Sequence, residues 1–272
     1  TATIGVGSVP RAMDITPDGN KLFVGNGNSS TVSVIDTTSS VSLPESVTSI
    51  LTLSNMPGKT VFSADSTKAY AAAAYGGTNG FVMNAATDTL STNITVGTTP
   101  TGIAITPDST KVYVSNAGSR TVSVINTSTD TVVATIAVGS TPRGMIMSSD
   151  GSKLYVINYG ANTVSVINTS TNTVVATIAV GTYPSAITIN PSGSRVYVMN
   201  NGSNNVSVIN TSTNTVAATI AVGSSPNDVK VSPDGSKLFV ANGAGASVSV
   251  INTVTNTITA TITVAASPLS IL

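Results

Sequence analysis

Short segments in which apolar and hydroxyl side chains alternate follow one another along this chain. Residues 142–181 contain four of them, at 143–147, 154–158, 163–168 and 173–181. An alternation with a period of two places successive side chains on opposite faces of a β-strand, and the Val, Ile and Thr that dominate these segments prefer such a pleated surface. Because no segment shows the 3.6-residue period of an amphipathic helix, the pattern predicts an all-β chain with almost no helix.

Turn-forming residues separate the four segments. Asp150 and Gly151 join the first two, and Gly160, Ala161 and Asn162 join the next two. Glycine supplies the positive φ that tight turns between antiparallel strands require. The fourth segment is almost continuously apolar, which predicts a strand packed on both faces.

The same block of four segments recurs, and each copy begins at a proline. These anchor prolines are spaced by 47, 43 and then four times 42 residues; they are Pro10, Pro57, Pro100, Pro142, Pro184, Pro226 and Pro268. A period of about 40–45 residues is the signature of a β-propeller with one four-stranded blade per repeat. The chain therefore holds six complete repeats, and we expect one β-propeller domain over residues 1–272.

The first two repeats depart from the others. Extra residues around Leu43, Pro44 and Glu45 lengthen the first repeat, and alanines at 71–74 stand in the second where later repeats carry larger residues and an asparagine. Small side chains fill less space in a core. We expect thinner packing in the second blade and close similarity among the last three.

At each end of the sequence, one predicted strand lies outside the six complete repeats. Residues 1–7 match the fourth strand of a repeat, and residues 267–272 match an anchor proline followed by a first strand. A closed ring of six blades needs neither segment, whereas in a ring of seven positions they would form the outer and inner strands of an incomplete seventh blade. The completeness of all six repeats favours six blades; an unfilled blade would offer strand edges for self-assembly through the chain ends.

The second segments of the repeats share a motif and read LFVGN, AYAAA, VYVSN, LYVIN, VYVMN and LFVAN. With the preceding P-D-G-x-K turn and the following V-S-V-I-N-T segment, they resemble the YVTN family of β-propeller repeats over the whole chain. That family is known from archaeal surface-layer proteins and bacterial extracytoplasmic proteins. The resemblance implies a propeller at the cell surface or outside the cell, but no particular reaction, because propellers host many activities.

Charged residues make up only 8% of the chain, and eleven basic and eleven acidic residues give a formal net charge of zero. Such a surface does not predict nucleic-acid binding by phosphate neutralisation or attachment to anionic membranes. The sequence contains no histidine or cysteine and no apolar run long enough for a transmembrane helix, so the commonest general base and metal ligands are missing. We therefore expect no nucleic acid, no membrane insertion, no cofactor and no metal site.

Half of the charged residues recur in one turn of each repeat as an Asp-x-x-Lys pair. The positions are Asp18, Asp65, Asp108, Asp150, Ser192 and Asp234, with Lys21, Lys68, Lys111, Lys153, Arg195 and Lys237. An Asp in a turn accepts backbone N–H groups, so turn stabilisation with a solvated Lys partner accounts for the pair. A cation-binding ring of carboxylates is the functional alternative, but recurrence in nearly every repeat favours the structural role.

Six charged residues break the repeat and lie within four residues of an anchor proline, on the predicted first strands. They are Arg11, Asp14, Lys59, Arg143, Asp228 and Lys230. The first strand of a propeller blade lines the central channel, so we expect these side chains near one channel mouth. They either pair with one another as a hydrated lining or form a ligand-binding site for an anion or polar glycan, with Arg11 and Arg143 as bidentate donors.

The other recurring polar signals are asparagines. One ends the second strand of five repeats, where we expect it to cap backbone groups in the following turn: Asn26, Asn116, Asn158, Asn200 and Asn242. Asn-x-Ser/Thr sequons, which are either glycan acceptors or chance occurrences in an Asn-, Ser- and Thr-rich chain, begin at Asn28, Asn93, Asn126, Asn168, Asn201, Asn205 and Asn210.

These observations favour a non-enzymatic scaffold or adhesion and binding module of the surface-layer type, acting at the cell surface with surface proteins or glycans as partners. The sequence shows no Ser/His/Asp, Cys/His or phosphate-loop motif. The alternative is an extracytoplasmic metal-dependent hydrolase or lactonase-like enzyme at the channel mouth, for which Asp14 and Asp228 are the carboxylate pair on offer. A recently duplicated or consensus-like repeat protein without a ligand is the third hypothesis.

Overall fold

The computed structural model describes residues 3–38, 47–74 and 76–271. These residues form 24 strands in six four-stranded antiparallel sheets, and in every sheet the strands lie side by side in chain order. One repeat makes one sheet, because each of its segments pairs with the next across a tight turn. The prediction of an all-β fold with one four-stranded propeller blade per repeat is confirmed. Leu43, Pro44 and Glu45, the extra residues of the first repeat, lie outside the described residues.

The strands of the first three sheets are β1 (Pro10–Ile15), β2 (Lys21–Asn26), β3 (Thr31–Asp36), β4 (Val47–Thr52), β5 (Pro57–Phe62), β6 (Lys68–Ala73), β7 (Asn79–Asn84), β8 (Thr89–Thr95), β9 (Pro100–Ile105), β10 (Lys111–Asn116), β11 (Thr121–Asn126) and β12 (Thr131–Ala137). Those of the last three are β13 (Pro142–Met147), β14 (Lys153–Asn158), β15 (Thr163–Asn168), β16 (Thr173–Ala179), β17 (Pro184–Ile189), β18 (Arg195–Asn200), β19 (Asn205–Asn210), β20 (Thr215–Ala221), β21 (Pro226–Val231), β22 (Lys237–Asn242), β23 (Ser247–Asn252) and β24 (Thr257–Thr263).

The chain divides into two compact units, Thr1–Ile136 and Ala137–Leu272, with three sheets in each. Within both units, neighbouring sheets contact each other through their first strands. In the first unit β1 lies beside β5 and β5 beside β9; in the second, β13 lies beside β17 and β17 beside β21. The fourth strands of neighbouring sheets make few contacts. The first strands are therefore the inner strands of each unit, as predicted. The single domain over residues 1–272 stays a prediction.

Burial follows the position of a strand in its sheet. The middle strands β14 and β15 are buried along most of their length, because they have a strand on each side and sheets packed against their faces. The fourth strand β16 alternates between exposed and partly buried residues, and Val175 remains 51% exposed. The predicted two-sided packing of the fourth strand is thus wrong, since an edge strand at the outside of a diverging pair of sheets keeps much of its surface in water.

Neighbouring sheets share a core in which their side chains interdigitate. Tyr155, Val164 and Val166 of the fourth sheet pack in one cluster with Val196 and Val198 of the fifth, and all five are fully buried. Burying a β-branched or aromatic side chain of this size stabilises the fold by about 1.5–3 kcal/mol. Each sheet therefore draws most of its stability from the sheet beside it.

The alanine-rich second sheet is filled by larger neighbours. Ala71 and Ala73 are fully buried in a cluster with Phe62, Phe81 and Met83, which lie on the adjoining strands. The small side chains are thus surrounded by large ones, and thinner packing of the second sheet stays a prediction. A small residue on one strand has been matched by a large one on the next.

The recurring asparagine joins strands rather than capping a turn, which corrects the prediction. Asn158 is fully buried, and its Nδ2 donates to Thr163 Oγ1 at 3.0 Å and Ser165 Oγ at 2.9 Å, both on β15. Gly139, just before β13, lies so close that a Cβ there would be 2.7 Å from Asn158 Cγ. The cross-strand bond recurs at Asn26, Asn116, Asn200 and Asn242.

The two spare segments at the chain ends form no strand in residues 3–7 and 267–271. Residues 267–271 are nevertheless hydrogen-bonded to β21. Asn227 Nδ2 donates to the carbonyl of Pro268 at 3.0 Å, and the N–H of Ile271 donates to Asp228 Oδ2 at 3.0 Å. On β24, Ile262 is 51% exposed although the equivalent Ile220 is 6% exposed, because no sheet of the second unit covers that face. The number of ring positions and self-assembly through the ends stay predictions.

The turn lysines reach from one sheet to the next, and we call these contacts the inter-sheet latches. Lys21 Nζ donates to the carbonyl of Ala85 at 2.8 Å and pairs with Asp88 at 2.7 Å. Lys68 Nζ donates in the same way to Thr127 at 2.7 Å and pairs with Asp130 at 2.9 Å. In the second unit, the carbonyl of Thr211 accepts from Lys153 Nζ and that of Thr253 from the Arg195 guanidinium. The prediction of solvated partners is wrong for these four side chains.

We expect Lys68→Met to lower the free energy of unfolding by about 1–2 kcal/mol, because Asp130 and the Thr127 carbonyl lose a donor that is only partly exposed. Lys237→Met is the matched control, since the same position in the last sheet makes no side-chain bond to any described residue; its effect should stay within about 0.5 kcal/mol. Urea unfolding followed by circular dichroism measures both. Equal losses of unfolding free energy in the two variants would contradict the stabilising role of the latch.

Candidate functional site

The six charged residues that break the repeat all lie on first strands, where the sequence places them. Arg11 and Asp14 are on β1, Lys59 on β5, Arg143 on β13, and Asp228 and Lys230 on β21. The four cationic side chains are exposed and the two carboxylates are partly buried. We call this set the first-strand charges. Their convergence on one channel mouth stays a prediction.

In the first unit, Asp14 links two inner strands. Its Oδ2 accepts the N–H of Thr60 on β5 at 3.0 Å, next to an irregularity in the pairing of β5 with β6. Burial raises the pKa of Asp14 above its usual value, although the Thr60 hydrogen bond and the charge of Lys59 act in the opposite direction. A partly buried carboxyl with a raised pKa is a group that can exchange a proton closer to neutral pH.

In the second unit, Asp228 is held by two backbone groups. Its Oδ1 accepts the N–H of Val229 at 2.8 Å and its Oδ2 accepts the N–H of Ile271 at 3.0 Å. The carboxylate thereby fastens the segment that follows the last sheet. Asp14 and Asp228 belong to different units, and each accepts its hydrogen bonds inside its own unit, so a joint role for the pair stays a prediction.

Two tyrosines that the sequence reasoning missed accompany Arg143. The guanidinium carbon of Arg143 lies 3.7 Å from the ring centroid of Tyr159. The ring of Tyr159 stacks with that of Tyr183 at a centroid distance of 5.2 Å and an interplanar angle of 22°. The signal was present in the repeat, because other residues stand at both places. These are Gly27, Ala74, Ala117, Asn201 and Gly243 for Tyr159, and Val9, Met56, Thr99, Thr141 and Ser225 for Tyr183.

The recurring aspartates stabilise their turns, as the structural interpretation predicted. Asp150 Oδ1 accepts from the Ser148 hydroxyl at 2.6 Å and from the N–H of Ser152 at 3.0 Å, and Asp234 is bonded in the same way by Ser232 and Ser236. These hydrogen bonds lower the pKa of Asp150 and of Asp234 to about 2. Asp18, Asp65 and Asp108 have lowered pKa values for the same reason.

Shallow clefts lie beside these turns between neighbouring sheets. One of them, of about 480 Å³, is lined by Asp65, Lys68, Tyr70, Asp108 and Ser128, among others. Similar clefts of about 410 and 280 Å³ occupy the equivalent places in the second unit. Because they recur with the repeat, they are a by-product of sheet packing. Across the described ranges, no three acidic residues cluster as metal ligands would.

The sequons differ in how far their amides are engaged. In Asn126, Asn168 and Asn210 the side-chain oxygen accepts the backbone N–H two residues ahead at 2.9 Å, which stabilises a turn. Asn28 and Asn93 are exposed and are the better placed acceptors. Glycosylation stays a prediction.

Among the residues that the structure describes, no helix has the length and apolar character needed to span a bilayer.

A family model decides the relationship of this chain to known proteins. The model described as lactonase, 7-bladed β-propeller, matches residues 68–182 and again residues 168–268. This chain belongs to that family. The two matches overlap at residues 168–182 and together span residues 68–268. No curated protein matches the chain.

Solved structures extend the likeness to nearly the whole chain. A chain of hydrazine synthase from Kuenenia stuttgartiensis has a TM-score of 0.78 at 21% identity, covering 99% of this chain and 91% of that one. A functionally unknown protein from Desulfotomaculum acetoxidans has a TM-score of 0.77 at 18% identity, covering 96% and 88%. At these identities the likeness shows the fold alone.

The lowered aspartate pKa values predict a loss of stability in acid. A carboxyl whose pKa is lower in the folded state stabilises the protein above its unfolded pKa, and that contribution disappears as the pH falls from about 4 toward 2. Asp150→Ser, which installs the residue that the fifth repeat carries as Ser192, should flatten the pH dependence in this window. Urea unfolding at pH 7, 4, 3 and 2 measures it; parallel curves for the two proteins would refute the assignment.

Proposed function

We propose that this propeller is a non-enzymatic scaffold and binding module that recognises acidic glycans through its first-strand charges. One observation carries the proposal. The two carboxylates of the set, Asp14 and Asp228, are occupied by backbone N–H groups, whereas all four cationic members are exposed. With four cations and two carboxylates, the first-strand charges are net positive.

The cations suit carboxylate or sulfate groups spaced along a chain. Each unit contributes one arginine and one lysine, Arg11 with Lys59 and Arg143 with Lys230. An arginine can bind an oxyanion with two parallel hydrogen bonds, and a lysine adds a flexible point charge. The strands that carry them belong to packed sheets, so little ordering is needed on binding.

Composition and resemblance support a place at the cell surface or outside the cell. The near-neutral chain takes its polarity from Thr, Ser, Asn and Gly, and exposed sequons at Asn28 and Asn93 would accept glycans in a secreted protein. The likeness of the second strands to YVTN repeats points to a surface-layer or adhesion setting. Partners would then be glycans or other surface proteins.

The test is binding of a polyuronate and of a sulfated polysaccharide to the whole chain, with a neutral polysaccharide for comparison. We expect the acidic polymers to bind more tightly, and their affinity to fall as salt rises because exposed charges are screened. Exchanging Arg11 or Arg143 for Ser should weaken binding by about three- to tenfold. Lys237→Ser, an exposed cation away from the first strands, should change it little; an equal effect, or no binding by the unaltered protein, refutes the proposal.

Lactone hydrolysis is the second candidate, because the family model bears that description. Asp14 is the group that such a reaction would use to activate water, since burial raises its pKa. Sugar lactones and acyl-homoserine lactones, followed by pH-stat with and without Mg²⁺ or Ca²⁺, test it. Our proposal expects the spontaneous rate; acceleration that disappears in Asp14→Asn would make the protein an enzyme.

A further inference from the structure

We propose that Arg143, Tyr159 and Tyr183 form a platform on which one sugar ring of the bound glycan stacks, against the exposed part of the Tyr183 ring. This inference rests on the glycan-binding function proposed above and adds to it the subsite and the part of the ligand recognised. We call the three residues the tyrosine platform.

The rings of the platform are held in place from several sides. The N–H of Tyr183 donates to Asn162 Oδ1 at 2.9 Å, and its carbonyl accepts the N–H of Asn201 at 3.1 Å. Its ring lies against Gly202, where a Cβ would be 2.5 Å from Tyr183 Cδ2. With Tyr159 stacked beside it, the ring of Tyr183 is fixed in orientation before any ligand arrives, although the residue is 51% exposed.

Packing does not require these side chains. Other repeats hold Val, Met, Thr or Ser at the place of Tyr183 and Gly, Ala or Asn at the place of Tyr159. The backbone conformation of Tyr183 is kept at Thr141, since their φ angles are 52° and 51°. Two large aromatic residues have been added to a site that folds without them. At 51% exposure, Tyr183 leaves a large part of its ring open to a ligand from solution.

The chemistry of the platform selects a saccharide. A tyrosine presents a flat apolar face with a hydroxyl at its edge, and the C–H face and hydroxyl rim of a pyranose match both. Thr182, next to Tyr183 in the sequence, adds a hydroxyl beside the ring. A proline-rich peptide needs a groove between separated rings, but these rings stack on each other, and the Arg143 guanidinium over Tyr159 disfavours a quaternary ammonium ligand.

The repeat supplies the variants for the test. Tyr183→Thr and Tyr159→Ala install residues that other repeats carry at the same positions, so both proteins should fold, and urea unfolding checks this. The probe is a defined uronate hexasaccharide, measured by calorimetry at low and high salt and by saturation-transfer NMR. We expect Tyr183→Thr to weaken binding about tenfold at both salt concentrations, because stacking is not screened. Saturation transfer from aromatic protons to ring C–H protons should disappear.

The controls separate this inference from the proposed function. Tyr183→Phe keeps the ring and should bind within about twofold of the unaltered protein, and Val254→Ala removes an exposed apolar side chain elsewhere in the second unit and should have no effect. If the unaltered protein binds and Tyr183→Thr binds equally well, the platform is refuted and the first-strand charges stand. If the unaltered protein binds no acidic glycan, both fail. Loss of affinity only at low salt would also overturn stacking.

Discussion

The packing of one four-stranded sheet on the next is the interaction on which this structure depends. The middle strands of each sheet are buried on both faces, as the full burial of the successive residues Tyr155 and Val156 on β14 shows. A sheet of this kind cannot stand alone in water, and its core is completed by Val196 and Val198 of its neighbour. The inter-sheet latches then fix the angle between sheets whose cores already hold them together.

That dependence determines where function can arise. Positions that serve sheet packing hold similar residues in most repeats, so charged and aromatic residues that break the repeat on the inner strands and in the turns around them are informative. Arg143, Tyr159 and Tyr183 occupy such positions, as do the other first-strand charges. Asymmetry in an otherwise repetitive chain is therefore the best guide to its ligand.

The strands were predictable because hydrophobic alternation and turn residues act locally. β15 has the predicted bounds, and Gly151 adopts a φ of 71° in its turn. The predicted side-chain contacts were wrong where the actual partners lie in another sheet. Lys68 was assigned to solvent because its partners, Thr127 and Asp130, are about sixty residues away in the sequence.

The same limit applies to the site. The sequence placed Arg143 on an inner strand from its distance to an anchor proline, but it could not join that residue to Tyr159 and Tyr183, which lie in two different turns. The pairing of β13 with β14 brings Arg143 to Tyr159, and the packing of the next sheet adds Tyr183. The role of Asn158 was misjudged for a related reason: its bonds to Thr163 and Ser165 cross to the next strand instead of following the chain.

The inter-sheet latches run in one direction, from a basic side chain on one sheet to a carbonyl on the sheet that follows. Every junction within a unit is therefore built alike, and a 42-residue segment inserted or removed between two anchor prolines would recreate the same junction. Unequal recombination between the nearly identical stretches of the gene would then yield folded products of different length. Natural variants of this protein should differ by whole repeats, and seldom by fragments of one.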